Sequence, residues 1–89
     1  MLDKTVIIRN KLGLHARAAV KFVNTANRFG ADVRIVKDGG EIDGKSILGI
    51  LTLAATQGTG IVLKIRGADE EVAWQALSDL INQRFGEKE

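Results

Sequence analysis

The chain has 89 residues, 45% of them hydrophobic and 27% charged, with ten glycines, one histidine and no cysteine, proline or tyrosine. A chain of this length hides roughly 60 to 65% of its unfolded surface on folding; that suffices for one domain over residues 1–89 and excludes a multi-domain enzyme, while the globular composition excludes a disordered or fibrous chain. Thirteen Lys and Arg against eleven Asp and Glu leave a net charge of +2 with no basic run, so bulk charge names no nucleic-acid partner.

Thr5 to Arg9 is rich in β-branched residues, with Val6 and Ile8 on one face, and reads as a strand that Asn10-Lys11-Leu12-Gly13-Leu14 breaks. Small and apolar residues then recur at Ala16, Ala19, Phe22, Val23 and Ala26, close to a 3.6 period, which predicts an amphipathic helix from Ala16 to about Arg28. Phe22 and Phe29 read as core, and Phe29-Gly30 supplies the stop. Ala31 to Lys37 alternates, with Val33 and Ile35 on the inner face, and Asp38-Gly39 is a two-residue hairpin signal leading into a short strand, Gly40 to Asp43.

Ser46 precedes Ile47, Leu48, Ile50, Leu51 and Leu53, and a serine oxygen accepts the free amide hydrogens of a first helical turn, so a short helix capped by Ser46 follows, ended by Gly58 and Gly60. Ile61 to Arg66 alternates again, with Ile61, Leu63 and Ile65 inward. After Gly67, Asp69 is the expected cap of a last helix that carries Glu70 and Glu71 where the macrodipole favours negative charge and lines one face with Ala73, Ala76, Leu77, Leu80 and Ile81. The order β-α-β-β-α-β-α is that of a two-layer α/β sandwich.

Without cysteine there are no disulfides, thiolate zinc sites, iron-sulfur clusters or thiol nucleophiles. No basic stretch with an apolar run marks a signal peptide at Met1 to Thr5, and the longest mostly apolar run, Ile47 to Ala55, is far shorter than the ~20 residues of a membrane span. A cytoplasmic protein without membrane insertion is expected. Gly39 to Ser46 satisfies the Gly-x4-Gly-Lys-Ser form of a phosphate-binding loop, but its context rejects nucleotide binding. Such a loop joins a buried parallel strand to a long helix, whereas Asp38-Gly39 is a hairpin turn and Glu41 and Asp43 repel phosphate.

His15 stands immediately before the first helix. Neutral imidazole is nucleophilic near pH 7, and a helix start offers unpaired amide hydrogens with the positive end of the dipole, so an anion attached to His15 is stabilised there. Arg17 brings a guanidinium that grips phosphate oxygens through forked hydrogen bonds. Locally, His15 also fits the plainer role of the residue before a helix, and Arg17 that of a solvated cation. No second histidine or dense carboxylate cluster completes a metal site, and no cofactor is expected. A phosphate on Ser46 would set about −1.5 to −2 charge at a helix start, repelling an acidic partner. Ile47, Leu48 and Leu51 cannot all face inward on so short a helix and mark, with Val20 and Lys45, a candidate docking patch.

These motifs resemble the histidine-containing phosphocarrier family HPr of the bacterial sugar phosphotransferase system. The resemblance rests on Leu12-Gly-Leu-His-Ala-Arg17, Gly44-Lys-Ser-Ile-Leu-Gly49 and Gly67-Ala-Asp-Glu-Glu71, and runs over nearly the whole chain. It implies a four-stranded antiparallel sheet covered on one face by three helices. It also implies a carrier that does not itself turn over: His15 takes phosphate on Nδ1 from enzyme I and passes it to an enzyme IIA domain, Arg17 neutralises the group, and Ser46 is the target of HPr kinase/phosphorylase, which can create a co-regulator for a transcriptional regulator. A monomer is expected. The family usually has proline after the active-site arginine where this chain has Ala18, which leaves open the stiffness of the loop and the branch: sugar uptake, nitrogen-related or regulatory. The competing class is a small α/β module for RNA or a small effector, for which the chain has no aromatic pair on a strand and no one-sided basic face.

Overall fold

The computed structural model describes residues 1–89. In chain order it comprises β1 (Leu2–Ile7), α1 (Ala16–Ala26), β2 (Asp32–Lys37), β3 (Gly40–Asp43), α2 (Ile47–Leu53), β4 (Gly60–Arg66) and α3 (Glu70–Asn82), followed by a single 3-10 turn at Arg84–Gly86. The four strands form one antiparallel sheet in the order β1-β4-β2-β3. The expected open-faced sandwich is therefore the observed one, with a charged outer face and the helices on the other.

The period-2 pattern of β4 sets the core. Ile61, Leu63 and Ile65 are all fully buried in the central rows, where Ile61 lies opposite Val6, and Ile65 and Leu63 lie opposite Val33 and Ile35. Against this apolar floor α1 places Ala18, Ala19, Phe22, Val23 and Ala26, α2 places Ile50, and α3 places Ala73, Leu77 and Ile81. At ~25 cal/mol per Å² of apolar surface, burying one Phe or Leu side chain is worth about 1.5 to 3 kcal/mol, so the convergence of these rows holds the domain without covalent staples.

Several sequence expectations shift. The first strand begins at Leu2 and ends at Ile7, because β4 is long enough to pair with every residue from Leu2 to Ile7; Ile8 stays buried, tied to the next turn by its N–H to Thr59 and its carbonyl from Gly58. In α1 the buried stripe includes Ala18, whereas Ala16 in the first turn is exposed. The helix stops at Ala26 with Asn27 as cap, and Gly30 has no left-handed φ; its role is to give its N–H to Asp69. Helix α2 ends at Leu53 on Ala54 in the left-handed conformation, before Gly58 is reached, and the Leu53 carbonyl accepts from Lys37 Nζ at 3.0 Å. Asp69 precedes α3 but makes no cap hydrogen bond. Its two carboxylate oxygens instead accept from the N–H groups of Gly30 and Ala31, each at 2.9 Å, pinning the start of β2 to the start of α3.

The predicted hairpin is present: Asp38 and Gly39 have φ of 52° and 81°, the paired left-handed residues of a type I′ turn. The Gly-x4-Gly-Lys-Ser segment thus runs from a hairpin turn through an antiparallel strand to the N-cap of a seven-residue helix, and Lys45 Nζ is turned to the Phe29 carbonyl at 2.8 Å. It is no phosphate loop. No helix is long and apolar enough to cross a membrane.

Candidate functional site

The loop between β1 and α1 is shaped from below. Asn10 is fully buried and its Nδ2 donates to the Gly13 carbonyl at 2.8 Å, closing a tight turn together with the Gly13 N–H to the Asn10 carbonyl at 3.1 Å. Gly13 has φ of +68°, and a Cβ there would lie 2.4 Å from the Ala55 carbonyl oxygen, so both conformation and space require glycine. Leu14 is buried and donates its N–H to the same Ala55 oxygen at 2.9 Å. The loop is thereby fixed to the segment that follows α2.

His15 is the N-cap of α1, with extended backbone (φ −76°, ψ 177°) and its carbonyl accepting from Ala19 at 2.9 Å. The ring Nδ1 accepts from the Arg17 N–H at 3.3 Å, and Nε2 donates to the carboxylate of Glu87. Nδ1 therefore carries the lone pair and faces the helix start, where the first-turn N–H groups have no intrahelical acceptor. Ala18 is the third residue of that turn, a position whose N–H precedes the first α-helical hydrogen bond; α1 forms there without proline.

The Arg17 guanidinium makes no ion pair. It is exposed and lines a groove of about 380 Å³ with Lys11, Leu12, Glu87, Lys88 and Glu89. The structure thus places the Arg17 backbone N–H on His15 and its guanidinium in the adjoining groove, and adds Asn10 and Glu87, which sequence reasoning missed. Glu87 is 72 positions from His15, and no periodicity or spacing announces such a pairing. Burial pushes the Glu87 carboxyl up, but the Asn10 hydrogen bond, the His15 contact and the Lys21 charge together outweigh it and hold the group below the ordinary value of 4.5.

Ser46 caps α2: its Oγ accepts from the Gly49 N–H at 3.0 Å, and its carbonyl takes the Ile50 N–H. Leu48 is 76% exposed, Ile47 and Val20 are about half as open, and Leu51 is half-buried against the core. Of the docking candidates, Lys45 is half-buried and committed to Phe29, so its charge is presented less freely than the apolar members. The outer sheet face carries the ion pairs Arg34–Asp32 and Lys64–Glu41 and no aromatic residue; all four aromatics, Phe22, Phe29, Trp74 and Phe85, belong to or pack on the core. It offers no stacking platform to RNA.

The family described as "PTS HPr component phosphorylation site" matches residues 2–83. The chain belongs to the HPr family. It is a phosphocarrier of the phosphotransferase system, with no turnover of its own. Among HPr relatives, the chain is 52% identical over 89 residues to the phosphocarrier protein HPr of Neisseria meningitidis, covering 100% of both chains. Its fold matches a crystal structure of HPr-C-His from Thermoanaerobacter tengcongensis with a TM-score of 0.96, 45% identity and 100% coverage of both chains. A second structure, described as an HPr dimer from the same organism, gives a TM-score of 0.79 at 46% identity, covering 98% of this chain and 100% of that one.

Proposed function

We propose that His15 is the residue that carries the phosphoryl group, on Nδ1, taking it from enzyme I and giving it to enzyme IIA domains in the cytoplasm. The observation that carries this reading is the ring's placement as N-cap of α1, with Nδ1 turned to the helix start and Nε2 occupied by Glu87. The Nδ1 lone pair attacks phosphorus in line with the departing donor atom, and the three equatorial oxygens take up hydrogen bonds from first-turn N–H groups. Arg17, unpaired at the edge of the groove, swings in to hold them in a fork.

Ser46 is the regulatory position in this proposal, modified by HPr kinase/phosphorylase. A phosphate there would keep the favourable helix start but place strong negative charge between Lys45 and the exposed Ile47 and Leu48, where it acts on docking with partners, a transcriptional regulator among them. Val20, Ile47, Leu48, Leu51 and Lys45 form the docking surface, and the carrier acts as a monomer, since one chain completes the core.

The test is incubation with phosphoenolpyruvate and enzyme I. An acid-labile, base-stable phosphate with the ³¹P signal of an Nδ1-phosphoimidazole is expected, and undiminished labelling of His15→Ala would overturn the assignment. ATP and HPr kinase should give an alkali-labile phosphate that Ser46→Ala abolishes, and sedimentation should give the mass of one chain.

A further inference from the structure

Glu87 lies beyond the residues that match the family, 2–83, yet its carboxylate is built into the site. One oxygen accepts a hydrogen bond from His15 Nε2 and the other accepts from Asn10 Nδ2 at 3.0 Å. The Asn10 amide cannot be turned round without loss, because both groups facing Nδ2, the Gly13 carbonyl and the Glu87 carboxylate, are acceptors. Asn10 is also fully buried, so its aim is set by the fold.

The backbone accepts strain to put Glu87 there. Arg84, Phe85 and Gly86 have φ of 57°, 55° and 77°, three left-handed residues in succession, of which the first two are not glycine. Left-handed backbone costs an L-residue roughly 1 to 2 kcal/mol, and such strain persists only where the surroundings over-determine it. Here they do: the Phe85 ring is buried, its carbonyl accepts from Lys21 Nζ, and beyond Glu87 the Glu89 carbonyl accepts from the Lys11 N–H while its carboxylate pairs with Lys11 Nζ at 3.3 Å. Glu87 is clamped on both sides.

Resting on the reading that His15 carries the phosphoryl group, we infer that Asn10, Glu87 and His15 form a relay in which Glu87 is a positioning residue that keeps the ring proton on Nε2 through loading and unloading. On loading, the Nδ1 lone pair forms the N–P bond while the bond from phosphorus to the donor breaks and its electron pair leaves with the donor. The ring becomes positively charged and the Glu87 carboxylate faces that charge. On unloading, the acceptor's lone pair attacks phosphorus and the N–P pair returns to Nδ1. Because Nε2 has kept its proton, the ring departs as neutral imidazole and not as the far poorer leaving group imidazolate. No proton changes place. The Arg17 N–H, 3.3 Å from Nδ1, cannot hold the ring this way, because the lone pair it uses is the one that forms the N–P bond. A carboxylate behind a working imidazole performs the same orientation in hydrolase triads.

The test compares the full chain with Glu87→Ala and the isosteric Glu87→Gln, each phosphorylated and purified, by following spontaneous loss of phosphate by ³¹P NMR against pH. The relay predicts equal rates near pH 5, where any phosphorylated ring is protonated. Toward pH 8 to 9 the native protein should hydrolyse about tenfold faster than Glu87→Ala, with Glu87→Gln between them. A merely structural role would not move this pH profile, and profiles that superimpose within twofold would overturn the relay. If the native chain takes no phosphate on His15, the proposed function fails instead. The relay is then judged on the bare ring, where an Nε2–H proton signal sheltered from exchange should be lost in Glu87→Ala; its persistence would overturn it.

Discussion

Replacing Gly13 by alanine separates two costs that glycine conceals. Gly13 and Gly39 both have left-handed φ, +68° and +81°, but a Cβ at Gly39 meets nothing within 4 Å, whereas at Gly13 it meets the Ala55 oxygen at 2.4 Å and the Thr56 Cα at 2.9 Å. Gly39→Ala should therefore cost the conformational penalty alone, about 1 to 2 kcal/mol. Gly13→Ala adds to that penalty about 1 to 3 kcal/mol for forcing backbone apart and about 1 kcal/mol for the Leu14 N–H bond to Ala55 that the shift breaks, in all roughly 3 to 6 kcal/mol. That is a large share of the ~5 to 15 kcal/mol that holds a small domain. Urea unfolding of both variants, with unchanged slope, reads the difference as a displaced midpoint. The same shift moves His15, so phosphoryl transfer from enzyme I should slow in Gly13→Ala and stay normal in Gly39→Ala. A stability gap below about 0.5 kcal/mol between the two would refute the collision argument.

Asp69→Ala removes the acceptor of two N–H groups, one on exposed Gly30 that water can satisfy and one on buried Ala31 that it cannot; a loss of about 2 to 3 kcal/mol is expected, with Asp69→Asn losing about half, and amide exchange at Ala31 accelerating in step. The Glu87 carboxyl is held below its ordinary 4.5, so its contribution to stability is present above that pH and is lost as pH falls through the lower folded value. Native protein and Glu87→Gln should accordingly differ in urea midpoint at pH 6 and converge in more acidic solution; a constant gap would disprove the linkage. Leu48→Ala should leave the unfolding midpoint unchanged, because the side chain is 76% exposed, while weakening the complex with enzyme I by about 1 to 2 kcal/mol in calorimetric titration.

What the chain reveals unaided is whatever depends on neighbours in sequence. Alternation in Ile61, Leu63 and Ile65, the Asp38-Gly39 turn, the Ser46 cap and the placement of His15 before a helix are all local, and each appears in the structure as read. Element ends were less legible: Gly30 and Gly58 looked like helix stops, but α1 and α2 end on Asn27 and Ala54, because tertiary packing chose the last turn. Asp69 shows the same limit in its side chain, which fits a cap by position but serves two amides nearly forty residues away. The candidate site divides along this line. His15 and Arg17 are two residues apart and could be paired from their spacing, whereas Glu87 meets the imidazole, with Asn10 behind it, only when three left-handed residues after α3 turn the chain back to the loop between β1 and α1. A hydrogen bond spanning 72 positions leaves no periodic trace, since it is made by the closing of the fold and not by any local preference of the residues that form it.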